Sequence, residues 1–154
     1  MWAAAFTVLL MTANVQAKDI ACDANVLRES WNLLAQARYG QSDYEYGAFI
    51  VRDDNGRLRL SAWKFDHEFL SAHFAGAVPP GVVAITHTHP NSTPVPSDGD
   101  VDLARRTGLT VYVLTRMVIS ATDGHRTRIV VSRDWRPVQS DNQVTGGCDT
   151  TAGK

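Results

Sequence analysis

Residues 81–115 read GVVAITHTHPNSTPVPSDGDVDLARRTGLTVYVLT, and no other stretch of the chain restricts the fold as strongly. The β-branched run VVAITHTH predicts a strand, apolar at its start and polar at its end. PNSTPVPS carries three prolines, so it predicts a loop without regular structure. SDGDVDLARRTG predicts a helix: Ser97 as N-cap with Asp100 three residues on, then Gly108 as the stop. TVYVLTR follows as a buried-type strand. Strand, loop, helix and strand in succession predict an α/β or α+β sandwich around one sheet.

The flanking segments agree. Val26, Leu27, Trp31, Leu34 and Ala35 recur at helical spacing between Asp23 and Tyr39, with Gly40 as a stop. YGAFIV and RLRLSAW are strand-like, and DDNG between them predicts a hairpin. A second hairpin is expected in MVISATDGHRTRIVVS, turning at Asp123-Gly124. DHEFLSAHFAGAV reads as a short helix or loop. The chain from Trp135 has weak pattern, and residues 139–154 are expected to form a loose tail after a domain spanning 18–138. A chain of 154 residues holds one domain.

The first 17 residues, MWAAAFTVLLMTANVQA, contain no charged side chain and end in small or modest residues. The run is short for a membrane span of about 20 apolar residues. It predicts a signal peptide cleaved after Ala17 and a secreted or periplasmic product. The two cysteines, Cys22 and Cys148, fit an oxidising compartment, where they could pair. A net charge of -1 argues against a nucleic-acid partner, which needs a basic face.

His87 and His89 end their strand one residue apart, so their side chains share a face and could grip one zinc ion. Alone the pair is a weak signal. A third ligand must come from elsewhere, and Asp98, Asp100 and Asp102 follow the loop. Asp100 also serves a plain helix cap with Ser97, and a capping aspartate is held rigidly enough to be a ligand. Hydrolytic chemistry further needs a base. The chain has three glutamates. Glu29 reads as the solvated face of the first helix, and Glu68 as part of an amphipathic stretch. Glu45 stands at a strand entrance before Gly47 and is the better candidate. His67, His73 and His125 lack partners at ligand spacing and read as surface residues.

The spacing resembles that of the JAMM metalloproteases, also called JAB or MPN-plus domains. Their pattern is an upstream glutamate, then H-x-H followed by Pro, a seven-residue spacer, and S-x-x-D. Glu45, His87-Thr88-His89-Pro90, the spacer Pro90 to Pro96, and Ser97-Asp98-Gly99-Asp100 match it. The resemblance covers about Glu45 to Thr115. It implies a cytidine-deaminase-like JAB/MPN fold, with a central mixed sheet flanked by helices. It also implies one Zn2+ held by His87, His89 and Asp100, with Glu45 as general base and then acid. Ser97 would hydrogen-bond the developing oxyanion or the attacking water. The activity implied is hydrolysis of a peptide, isopeptide or peptidoglycan-type amide bond by an exported zinc metallopeptidase. Two alternatives share the scaffold: a non-catalytic module that binds a peptide or partner, and a secreted toxin or effector hydrolase. The chain shows no long insertion of the kind that ubiquitin-directed members carry.

Overall fold

The computed structural model describes residues 19–65, 69–132, 135–136 and 147–148. The proposed signal peptide, His67 and Glu68 lie outside them. A 3-10 turn at Ile20–Cys22 leads into α1 (Ala24–Gln36), and a second turn covers Arg38–Gly40. The strands are β1 (Gly47–Arg52), β2 (Leu58–Ala62), β3 (Val82–Thr88), β4 (Thr110–Leu114), β5 (Val118–Thr122), β6 (Thr127–Ser132) and β7 (Gly147–Cys148). Helix α2 (Asp98–Thr107) separates β3 from β4.

All seven strands form one sheet in the order β2-β1-β3-β4-β5-β6-β7. Only β3 and β4 run parallel. A parallel pair needs a long crossover, and the prolines and α2 supply it. The others meet antiparallel, through the two expected hairpins and the β1–β3, β4–β5 and β6–β7 pairings. The sheet is therefore mixed and helix-flanked, an α+β fold as expected.

Alternation along the strands divides the core. Ala48, Ile50, Ala84, Tyr112 and Leu114 pack with Val26, Leu27, Leu33 and Leu34 of α1. Phe49, Val51, Ile85 and Val111 face the other way and pack with Ala104 of α2. In register, Gly47 lies opposite His87 and Phe49 opposite Ile85, so His87 stands on the α2 side of the sheet. This places the polar strand end beside the start of α2.

Three readings change. Glu29 is not simply solvated: its carboxylate accepts the backbone N–H of Leu60 on the edge strand β2. An open edge N–H invites pairing with another chain, and the carboxylate occupies it. Residues 69–80 take the loop form, one of the two expected there, and Phe69 makes one isolated bridge to Tyr44. Within the segment expected to be loose, Gly147–Cys148 pairs with Val131 and Ser132 as β7. Cys148 is disulfide-bonded to Cys22, 126 residues away. Trp135, at the start of the weakly patterned end, is fully buried. Its indole N–H donates to the Thr115 carbonyl at 2.8 Å. Asp19 adds a second tie for the N-terminal segment, accepting from the Tyr112 hydroxyl at 2.7 Å and from Arg128.

Candidate metal centre

Glu45 enters β1 under tight backbone control. Its neighbour Tyr46 donates its N–H to the Thr88 hydroxyl at 2.9 Å and accepts the Thr88 N–H at 2.9 Å. That clamp sets Glu45 beside the end of β3. Gly47 has no room for a side chain: a Cβ there would meet the Trp63 ring at 2.2 Å. The close approach at this glycine is made by an indole covering it.

His87 lies in β3 and His89 just beyond it, with the His89 N–H donating to the Leu114 carbonyl at 2.9 Å. Their rings share a face, centroids 4.7 Å apart. His89 Nδ1 lies 2.8 Å from the Thr93 carbonyl. A carbonyl can only accept, so the Nδ1 carries the proton and the Nε2 lone pair is free.

Asp100 sits in the first turn of α2 within the capping box. Its Oδ2 accepts the Ser97 N–H and the Ser97 hydroxyl, each at 2.7 Å. The Asp100 N–H returns to Ser97 Oγ at 3.3 Å. These contacts leave Oδ1 facing His87 Nε2 at 2.7 Å. Asp100 Oδ2 is also 3.6 Å from His89 Nε2. Glu45 closes the cluster, with Oε2 at 3.3 Å from His87 Nδ1 and Oε1 at 3.7 Å from His89 Nε2. Glu45, His87, His89 and Asp100 are 6–8 % exposed. The structure thus brings together all five residues that the sequence singled out.

Two buried carboxylates dictate the charge of the imidazoles. Burial disfavours charge on His87, but Asp100 and Glu45 outweigh it and push its pKa up to about 9. Burial and the neighbouring His87 charge lower His89, so it stays neutral. Burial opposes ionisation of Asp100 too. His87 and the Ser97 hydrogen bonds prevail and hold its carboxyl well below the usual carboxylate range.

Glu45, His87 and His89 can offer ligand atoms that all lie within 4.8 Å of one another, a group able to hold a metal ion. The fit can be judged on one atom. His87 Nε2 is buried and has no hydrogen-bond partner, although Asp100 Oδ1 is only 2.7 Å away. The two form an ion pair, and a cation drawn by the same carboxylates can take the proton's place on this nitrogen. Two imidazole nitrogens and a carboxylate, all turned inward, suit a divalent cation. A family model describing prokaryotic homologs of the JAB domain matches the chain over residues 23–136.

The chain belongs to the prokaryotic homologs of the JAB domain. No curated protein matches it. The JAB match reaches beyond the motif region in both directions, taking in α1 and Trp135. Other polar residues of this JAB domain stay outside the cluster. Asp98 is exposed, and Asp102 pairs with Arg105 at 2.8 Å. His125 lies exposed in the β5–β6 turn. His73 is exposed too, yet it lines a shallow groove beside Glu45, with Tyr46, Trp63, Lys64 and Phe65. That groove had no signature in the sequence, because its walls come from separate segments. The Thr93 contact was equally hidden, since a backbone carbonyl has no residue type.

Proposed function

We propose that this JAB domain is an exported zinc-dependent metallopeptidase that hydrolyses an amide or isopeptide bond. The observation that carries the reading is the buried cluster itself: Nε2 of His87 and Nε2 of His89 set among two buried carboxylates on a JAB scaffold. His87 Nε2, His89 Nε2 and Asp100 would hold the ion. Glu45 is the poorer ligand, because it faces His87 through Nδ1, the nitrogen remote from Asp100. One ion cannot use both nitrogens of one ring. Bound there, zinc supplies Lewis acidity and lowers the pKa of a water toward neutrality.

The remaining work falls to side chains. The Glu45 carboxylate stands within reach of both histidines and can accept a proton from the attacking water, then deliver it to the leaving amine. Its backbone clamp to Thr88 limits how far it can drift. Ser97 spends its hydroxyl proton on Asp100, which keeps that carboxylate oriented. To donate to an oxyanion it would first release that bond. The Cys22–Cys148 bond supports export, because disulfides persist in oxidising compartments.

The deciding variant is Glu45→Gln, assayed against peptide, isopeptide and peptidoglycan-stem libraries, with zinc content measured in parallel. Hydrolysis should fall at least about 100-fold while zinc stays bound. Loss of zinc would make Glu45 a ligand rather than the base. Zinc-loaded wild type inert on all three libraries would reduce the domain to a binding module.

A further inference from the structure

Asn91 follows the His-x-His-Pro run and is exposed, yet its polar groups are spent on three backbone groups from two separate segments. Its N–H donates to the Gly40 carbonyl at 2.9 Å. Its Nδ2 donates to the Tyr39 carbonyl at 2.8 Å. Its Oδ1 accepts the Arg116 N–H at 3.0 Å. These contacts close a ring of interactions. The Tyr39 ring packs on Trp31 at 5.3 Å, and Trp31 packs edge-on against Trp135 at 5.1 Å. The Trp135 N–H holds the Thr115 carbonyl, one residue before Arg116.

The backbone is strained where the ring closes. Arg38, Tyr39 and Gly40 all have positive φ, at 51°, 56° and 76°. Two of them are bulky residues for which this conformation is unfavourable, and it persists only where surroundings over-determine it. Here the strained turn delivers two successive carbonyls to one asparagine. Gly40 is required twice, for its φ and because a Cβ would lie 2.4 Å from Asn91 Oδ1.

From Asn91 the path to the metal centre is short. Thr93 donates its N–H and its hydroxyl to the Pro90 carbonyl, at 2.9 and 3.2 Å. That turn aims the Thr93 carbonyl at His89 Nδ1. We propose that Asn91 is a positioning residue: it anchors the Pro90–Thr93 turn on the aromatic ring of contacts and so fixes the His89 imidazole with Nε2 toward Glu45 and Asp100. The inference rests on the reading of His89 as a zinc ligand for its functional meaning, but not for its geometry.

The test uses the oxidised full chain, with histidine nitrogens labelled and observed by NMR, and zinc affinity measured by chelator competition. In wild type, His89 should be a single Nδ1–H tautomer with a slowly exchanging ring proton. Asn91→Ala should mix the tautomers, speed that exchange and weaken zinc about tenfold, with the far-UV spectrum unchanged. Gly40→Ala should act alike, because its new methyl would displace the Asn91 side chain. Asn91→Asp keeps the acceptor for Arg116 and loses the donor to Tyr39, so it should fall between. A wild-type His89 signal and zinc affinity within twofold in Asn91→Ala and Gly40→Ala would overturn the proposal. Wild type that binds no zinc, yet shows an Asn91-dependent His89 tautomer, would sink the metal reading and support the positioning role.

Discussion

A proton and zinc compete for the His87 imidazole, and the competition can be measured through pH. Its folded pKa of about 9 lies above the ordinary 6.5. The protonated imidazole therefore stabilises the metal-free fold at pH below 6.5, and that contribution disappears as pH rises through about 9. At roughly 1.4 kcal/mol per pKa unit the separation is worth about 3 kcal/mol. Zinc reverses the sign, because an imidazole must lose its proton to bind. At pH 7 the proton should reduce zinc affinity about 100-fold from its value above pH 9. Between pH 6 and 7 affinity should rise about tenfold, with one proton released per ion. His89 contributes no second proton there, because it is already neutral, and Asp100 is already ionised. The assay pairs thermal melts of chelator-treated protein from pH 6 to 9.5 with zinc competition and proton counting by calorimetry. His87→Gln measured alongside subtracts groups titrating elsewhere. Metal-free stability that does not fall between pH 6.5 and 9, together with proton-free zinc uptake at pH 6–7, would refute the charged His87 and the ion pair behind it.

Removing the disulfide by Cys148→Ala should lower stability by up to about 5 kcal/mol on the chain-entropy model, since it closes a loop of 126 residues; denaturant titration reads the change. Gly47→Ala should cost about 1–3 kcal/mol, because the new methyl must displace the Trp63 ring, and the melting temperature should drop accordingly. Glu29→Ala opens the Leu60 N–H on the edge strand, costing about 1–2 kcal/mol and raising the aggregation rate seen by light scattering.

The local elements were legible in the sequence because each carries its own signal. Turn chemistry at DDNG and Asp123-Gly124, the Ser97 cap and the β-branched runs act over a few residues, and all appear where expected. The residue types of the candidate site and their spacing were legible too, since a strand end and a helix start joined by a fixed loop leave little freedom. Segments whose order depends on distant partners were not. Trp135 looks like part of a weak tail until Trp31 and Thr115 surround it. Gly147–Cys148 has no strand propensity and is a strand because β6 and Cys22 hold it. Glu29 looked solvated because the edge N–H it meets belongs to a residue 31 positions away.

The sequence alone therefore determined the chemistry available: two imidazoles on one strand face, a capping aspartate, a glutamate before an apolar strand, and two cysteines. Tertiary structure decided what each atom does. Burial and the approach of two carboxylates charge His87 and leave His89 neutral. The capping box turns Asp100 Oδ1 inward by occupying Oδ2. A strained turn 50 residues upstream meets Asn91 and steadies the loop that orients His89. Residue type sets which protons and lone pairs exist. Only packing sets their distances, and at this site distance and burial decide which of them are free.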